Sequence, residues 1–176
     1  FWAIKIFFLK FFSKNLRKDS VSTLALGVDY KLKRTKVTLE TETKLFNSNQ
    51  NSYDANATKF IDNYYSYYSA GFSPELSFYI GPPAVLSKLK LWWAIEYRKY
   101  FDRPAQEADA DYINEDVFQR DNILGISYSY PVFEDFYATA KINRRVVTSN
   151  NKYEANYKYN YTVANYFLGL NWQFGM

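Results

Sequence analysis

The sequence predicts an all-β fold, namely an antiparallel up-and-down transmembrane β-barrel of about eight strands that occupies residues 1–176 as a single domain. First, apolar and polar residues alternate along segments that are long enough to cross a bilayer. Second, the connections between these segments are alternately short and long. Third, aromatic residues make up 21% of a chain that is also rich in Asn, Ser and Lys, which is the mixture expected when every strand has one apolar and one polar face.

Residues 1–12, with the sequence F-W-A-I-K-I-F-F-L-K-F-F, predict the first strand, with Trp2, Ile4, Ile6 and Phe8 on its apolar face. The segment is shorter than the roughly 20 residues that a transmembrane helix needs. No small-residue cleavage site follows it, so it does not resemble a signal peptide. Because lysines are spaced among its apolar residues, an interfacial helix remains an alternative.

The next two segments predict an antiparallel hairpin around the tight turn K-R-T-K at 33–36. The first segment places Asp29 and Lys31 on its polar face, and the second places Glu40, Glu42 and Lys44 there. The apolar faces carry Leu24, Leu26, Val28, Tyr30 and Leu32 on the first segment and Val37, Leu39, Thr41, Thr43 and Leu45 on the second.

Two further strands follow a long connection at 47–62 that is rich in Asn and Ser. Apolar residues alternate with Ser, Gly and Glu from Tyr68 to Ile80, and Pro74 lies within this run. Because proline cannot donate a ladder hydrogen bond, we expect a bulge or a locally broken pairing there. The residues G-P-P-A mark the short connection 81–88, and the alternation from Leu89 to Tyr97 predicts the next strand.

The last three strands follow a predicted acidic loop at 102–121. Alternation runs from Leu124 to Tyr130 and from Phe136 to Arg145, on either side of the short turn P-V-F-E-D at 131–135. An Asn-rich loop at 149–160 leads to the final strand. The short connections would therefore lie on one side of a membrane and the long ones on the other.

The final strand has the sequence Y-T-V-A-N-Y-F-L-G-L-N-W-Q-F from Tyr161 to Phe174, with all its even positions apolar. The ending Gly169-x-x-Trp172-x-Phe174 resembles the C-terminal strand of bacterial outer-membrane β-barrel proteins. The resemblance implies short periplasmic turns, long external loops and a location in the outer membrane of a Gram-negative cell. It also implies that Gly169, Trp172 and Phe174 form a signal for the barrel-assembly machinery. The arrangement S-N-N-K-Y…Y-x-Y…G-L-N-W-Q-F resembles the end of the barrels of surface-lipoprotein export proteins as well.

Charged residues recur on the polar faces of the predicted strands. In a closed barrel of about eight strands the interior is filled by side chains, so these charges would have to satisfy one another. In a wider barrel the same residues would line a water-filled passage. The predicted lumen charge network consists of Asp29, Lys31, Glu40, Glu42, Lys44, Glu75, Glu96, Arg98, Lys141 and Arg145.

Aromatic residues on the apolar faces are predicted to lie at the two membrane interfaces. Outer-membrane lipid is thus an expected partner, and basic residues near the external rim would pair with phosphates of lipopolysaccharide. These basic residues are Lys10, Lys14, Arg17, Lys18, Arg144 and Arg145. The interface aromatics are Tyr30, Tyr68, Trp93, Tyr97, Tyr128, Tyr130, Tyr166, Trp172 and Phe174.

Several kinds of chemistry are disfavoured by composition. The chain has no His and no Cys, whereas the outer-membrane phospholipase, palmitoyl transferase and omptin protease all use a His. We therefore expect no enzyme activity and no cofactor. The acidic residues from Glu107 to Asp116 could offer oxygen ligands to Ca²⁺, but they lack a Gly-punctuated spacing, so a solvated loop is preferred and no metal is expected. A net charge of +4 scattered along the chain indicates no nucleic-acid site.

The expected function is that of an integral outer-membrane barrel with a filled lumen, which anchors in the membrane and presents its long loops to a protein partner or to a second copy of the chain. The alternative is transport, either through a narrow porin or as the C-terminal part of a larger porin or export barrel. A soluble lipocalin-like binder is a third reading, and it would require the aromatic residues to face inward.

Overall fold

The computed structural model describes residues 2–12, 18–54, 58–83, 85–133, 136–155 and 157–172. This part of the chain contains no helix, and therefore no helix that is long and apolar enough to cross a membrane. The strands are β1 (Trp2–Phe12), β2 (Asp19–Leu32), β3 (Thr35–Ser48), β4 (Ser52–Asp54), β5 (Lys59–Ile61), β6 (Tyr67–Ile80), β7 (Ser87–Gln106), β8 (Tyr112–Phe133), β9 (Phe136–Ser149) and β10 (Tyr161–Trp172).

Eight of the strands form one antiparallel sheet in the order β1-β2-β3-β6-β7-β8-β9-β10. Each strand pairs with its neighbours along the chain, apart from β4 and β5, which form a small separate hairpin between β3 and β6. The predicted all-β, antiparallel, up-and-down order is thus confirmed. No closed barrel is detected in the described residues, because β1 and β10 are the edge strands and no ladder joins them.

The first segment is a strand from Trp2 to Phe12, so the interfacial helix considered as an alternative for it is wrong. Its ladder with β2 runs without a shift from Trp2↔Tyr30 to Phe12↔Ser20. The next ladder is equally regular and ends at the pair Leu32↔Thr35. Only Lys33 and Arg34 therefore form the turn between β2 and β3, which is shorter than the predicted 33–36.

Pro74 interrupts one of its two ladders, as predicted. On the β7 side, pairing stops after Phe72↔Ile95 and resumes at Glu75↔Trp92 in the same register. On the β3 side, Leu39↔Pro74 remains part of a continuous ladder. The missing N–H of proline thus breaks the pairing locally, and no bulge forms.

The predicted loop at 102–121 is wrong, because most of it is strand. β7 continues to Gln106 and β8 begins at Tyr112, with register shifts around Pro104. Val117 is 1% exposed in this extension, and the Nζ of Lys99 lies 3.9 Å from a carboxylate oxygen of Asp116. The run of acids suggested a solvated loop, but apolar residues between the acids and cations on neighbouring strands support an extended hairpin.

Exposure in this sheet is the reverse of that in a soluble protein. Ser77 is 0% exposed, whereas Leu124 is 66% and Leu168 is 85% exposed. The fully buried apolar residues of the described chain are only Ala105, Val117 and Val147. A soluble protein buries its large apolar side chains, so this distribution opposes the lipocalin-like reading, in which the aromatic residues would be inside.

Candidate functional site

The polar side of the sheet, called the concave face below, is curved around a cavity of about 320 Å³. Residues of five adjacent strands, β2, β3, β6, β7 and β8, line this cavity. Successive ladders place Ala25, Glu42, Gly71, Glu96 and Asp121 in one row across these strands. Because neighbours in a row lie on the same side of a sheet, the alternation of the sequence produces one continuous polar surface.

Most of the predicted lumen charges lie on the concave face within ion-pair distance of an opposite charge. Their side chains are partly exposed, and such pairs contribute only about 0–1 kcal/mol each. Their main effect is therefore to neutralise charge along the face. The pairs are Lys36–Asp29 at 3.1 Å, Lys44–Glu42 at 2.9 Å, Lys90–Glu75 at 2.5 Å and Arg98–Glu96 at 3.0 Å.

Arg145 makes the most extensive pair of this face. Its Nε donates to both carboxylate oxygens of Asp121, at 3.0 and 2.8 Å, and its Nη2 also contacts Oδ2 of Asp121. This planar, two-pronged contact on the neighbouring strand β8 fixes the orientation of the guanidinium group.

Three of the predicted charges lack a carboxylate or cationic partner among the described side chains. The Nζ of Lys31 lies 5.8 Å from the ring centre of Tyr79, and that of Lys141 lies 5.0 Å from the ring of Trp92. Glu40 lines the cavity of about 320 Å³ without an ion pair. The charge network is thus divided into local pairs, with two lysines held against aromatic rings instead.

Trp92 and Gly125 make a close contact on the concave face. They are directly opposed in the β7–β8 ladder, and the indole ring covers the glycine. A Cβ added at Gly125 would overlap the ring, so only glycine allows this arrangement. The ammonium groups of Lys90 and Lys141 flank the same indole at 6.0 and 5.0 Å from its centre.

A second cavity, of about 370 Å³, lies at the end of the concave face toward the long connections. Three arginines, two carboxylates, four tyrosines and one glutamine line it. These residues are Glu96, Arg98, Tyr100, Arg103, Gln119, Asp121, Arg145, Tyr157, Tyr159 and Tyr161.

Arg103 stands in a cage of tyrosine rings beside this cavity. Its guanidinium carbon lies 4.8 Å from the ring centre of Tyr64, 5.1 Å from that of Tyr100 and 5.2 Å from that of Tyr159. Its Nη2 also donates to the hydroxyl of Tyr159. Burial raises the pKa of the Tyr64 hydroxyl, and the nearby Arg103 opposes that rise. Arg103 thereby ties two of the long connections to β7.

The described interface aromatics all lie on the outer, apolar face and are exposed. Near the short turns are Tyr30, Tyr128, Tyr130 and Trp172, and toward the long connections are Tyr68 and Tyr97, whose rings are 6.3 Å apart. Tyr166 lies in the middle of β10, and Trp93 is opposite Leu124 in the interior of β8, so their predicted place at an interface does not follow from the ladders. Phe174 lies outside the described residues.

Two of the three residues of the predicted assembly signal lie in β10. Trp172 is opposite Phe136 at the start of β9, and Gly169 is opposite Thr139. The ring of Phe167 covers Gly169, so that an added Cβ would overlap it. The third residue, Phe174, lies outside the described part of the chain.

The acidic residues considered for Ca²⁺ are dispersed along the extended hairpin. Glu107 binds the Nζ of Lys152 at 2.8 Å, and Glu115 accepts a hydrogen bond from the side chain of Asn150 at 3.3 Å. In the ranges that the structure describes, no three acidic side chains form a group that could hold a metal ion.

The predicted rim cations have different surroundings. Arg144 is exposed on the outer face, whereas Arg145 faces Asp121 on the concave face. Lys18 is exposed, and its backbone N–H donates to the side chain of Asn49 at 2.6 Å. The side chains of Lys10, Lys14 and Arg17 lie outside the described residues.

Sequence reasoning missed several residues of the concave face. The alternation of polar and apolar residues could have identified three further ion-pair partners, namely Lys36, Lys90 and Asp121. Lys36 and Asp121 were missed because their positions were predicted to lie in connections. Arg103 and its tyrosine cage carry no such signal, because the cage combines residues from β7 and two separate loops.

Comparison with known proteins adds no relative. The chain matches no family model, no curated protein and no solved structure. Its function is therefore argued from the sequence pattern and the geometry.

Proposed function

We propose that this chain is an integral outer-membrane β-barrel protein of a Gram-negative cell, and that it serves as a membrane anchor or interaction protein. The observation that carries the proposal is the inverted exposure of the sheet. Large apolar side chains cover the outer face and are exposed, while the concave face carries mostly polar, charged and small residues, with Trp92 packed on Gly125. Burying one exposed Leu or Phe is favourable by about 1.5–3 kcal/mol, so an outer face of this composition is suited to lipid.

Closure of the sheet belongs to the same proposal. A hydrocarbon environment cannot satisfy the backbone groups of an open sheet edge. We therefore expect β1 and β10 to pair in the membrane, which would give an eight-stranded barrel with side chains filling its interior. The ion pairs along the concave face support a filled interior, because charges that neutralise one another can pack together without water.

Transport is the second candidate, and the edge strand β10 favours it. Val163 and Phe167 lie at odd-numbered positions of β10, on the concave face, and both are exposed in the open sheet. In a wider barrel these apolar side chains would stay exposed on the wall of the passage and would not pack against strands on the opposite side. The two cavities of the concave face are also consistent with a wider barrel, to which these strands would contribute part of the wall. The charges would then line a wet passage.

Single-channel recording of the refolded chain in a planar bilayer separates the two candidates. Electrophoresis of unheated and boiled samples is the matched control for a folded barrel. Heat-modifiable migration without conductance is the result expected for the filled anchoring barrel. Discrete open steps would shift the proposal to transport, and a chain that neither inserts nor shows heat-modifiable migration would contradict both.

The proposed partners follow from the same faces. Lipid and lipopolysaccharide would contact the outer face and its exposed cations, and the barrel-assembly machinery would recognise β10. The extended hairpin of β7 and β8 and the long connections would present a surface to a protein partner or to a second copy of the chain.

A further inference from the structure

The cavity of about 370 Å³ has the size and composition of a ligand site. Pockets of roughly 300–1,000 Å³ are typical of sites for small molecules. The three guanidinium groups and two carboxylates that line the cavity give it a net charge of +1. The tyrosines around it add ring faces and hydroxyl groups.

The three arginines of the cavity are satisfied to different degrees. Arg145 is held by both oxygens of Asp121. Arg98 donates from Nη2 to Glu96 at 3.0 Å, but its Nε is buried and has no hydrogen-bond partner in the described part of the chain. The hydrogen bonding of Arg98 is thus incomplete, which is rare for a buried donor.

Arg103 provides the net charge of the site. No carboxylate lies within ion-pair distance of it among the described residues, and three tyrosine rings hold its guanidinium group in place. A guanidinium group that is oriented in advance by rings loses little conformational freedom when it binds an anion.

We propose that this cavity binds a small organic carboxylate that also carries hydroxyl groups, such as a sugar acid. One net positive charge matches a carboxylate better than a doubly charged phosphate, and the fork of a guanidinium group fits a carboxylate with two parallel hydrogen bonds. Glu96 and Asp121 keep acceptor capacity for ligand hydroxyls. The tyrosine hydroxyls can both donate and accept.

Isothermal titration calorimetry of the refolded chain in detergent micelles tests the ligand class. The probes are D-glucuronate, D-glucose as its neutral analogue and D-glucose 6-phosphate as the phosphate analogue. We expect glucuronate to bind at least about tenfold more tightly than the other two, which corresponds to one charge-assisted contact. Equal binding of glucose, tighter binding of the phosphate or the absence of binding heat with glucuronate would overturn the proposal.

Variants of Arg103 test the location of the site, with Arg120→Gln as the matched control on the outer face. Arg103→Gln should weaken glucuronate binding by about tenfold or more, and Arg120→Gln should leave it unchanged. Arg103→Lys keeps a cation among the tyrosine rings, so the cage should persist in this variant. We expect its affinity for glucuronate to lie between those of the parent chain and Arg103→Gln. Near-ultraviolet circular dichroism reports whether each variant retains its aromatic packing. Unchanged glucuronate affinity in folded Arg103→Gln and Arg103→Lys would place the binding elsewhere and overturn the assignment.

Discussion

At the scale of single residues, the closest packing of the concave face is that of Trp92 on Gly125. The indole ring lies where a Cβ of residue 125 would be, so this strand pair depends on the absence of a side chain. Gly27 lies on the same face but is open, since the nearest atom to an added Cβ is the Cγ of Glu40 at 3.5 Å. The two glycines therefore differ in what surrounds them and not in backbone conformation.

We predict that Gly125→Ala lowers the free energy of unfolding by about 1–3 kcal/mol, because the new methyl group displaces the indole. Gly27→Ala is the control and should change it by less than about 0.5 kcal/mol. Urea unfolding in micelles, followed by tryptophan fluorescence, measures both. In a Trp92→Leu background the effect of Gly125→Ala should largely disappear, and its persistence would show that the ring is not the cause.

At the scale of elements, β10 is an edge strand of the main sheet. It pairs with β9 from Tyr161↔Val147 to Trp172↔Phe136 without a shift. Its even-numbered residues continue the apolar outer face, and Leu168 is opposite Ala140 on that face. The effect of a substitution on the stability of this strand in a membrane should therefore depend on whether the residue is even-numbered, on the outer face, or odd-numbered, on the concave face.

We predict that Leu168→Arg destabilises the protein in a bilayer by about 2–4 kcal/mol, because a charge would face hydrocarbon. Asn165→Arg is the matched control, since residue 165 lies on the other face of the same strand and its side chain donates to Asn143 at 2.9 Å. Folding titrations in lipid vesicles measure both variants. Equal losses for the two would contradict the assignment of the faces of β10.

The loop at 150–160 contains a carboxylate that accepts several hydrogen bonds. Glu154 accepts from the backbone N–H groups of Tyr159 at 3.2 Å and Asn160 at 2.9 Å, and also from the side chain of Asn160. These bonds, led by those from Asn160, lower the pKa of the Glu154 carboxyl group. A lowered pKa in the folded loop means that the charged form stabilises this conformation.

We therefore predict that the order of this loop is fully present above the ordinary carboxyl pKa and is lost as the pH falls through the lowered value. NMR titration of the amide resonances of Tyr159 and Asn160 measures the transition. Glu154→Gln cannot titrate and should abolish the pH dependence. A pH-dependent transition of the same size in Glu154→Gln would show that a group other than Glu154 causes it.

At the scale of the whole molecule, the sequence predicted what depends on a local period of two. The antiparallel order, the two faces and the interruption at Pro74 follow from alternation and from the missing N–H of proline. The extension of β7 and β8 was missed, because the acids around Asp116 mask the apolar positions such as Val117 that pack between them. The cage of Arg103 was also missed, because it depends on which loops meet in space. Closure of the sheet was predicted from the number of strands and is not detected in the described residues, where β1 and β10 are the edge strands. Pairing of the first strand with the last is not encoded by any local pattern.

The most direct test of the membrane proposal is a single-cysteine scan of residues 124–130 in lipid vesicles. The chain has no native cysteine, so each introduced thiol can carry one fluorescent label without a background signal. Labels at Leu124, Ile126 and Tyr128 should be quenched by lipids that carry a nitroxide in the acyl chain, and labels at Ser127 and Ser129, on the concave face, should be protected from these lipids. A quenching pattern without this period of two, or with the opposite phase, would contradict the account.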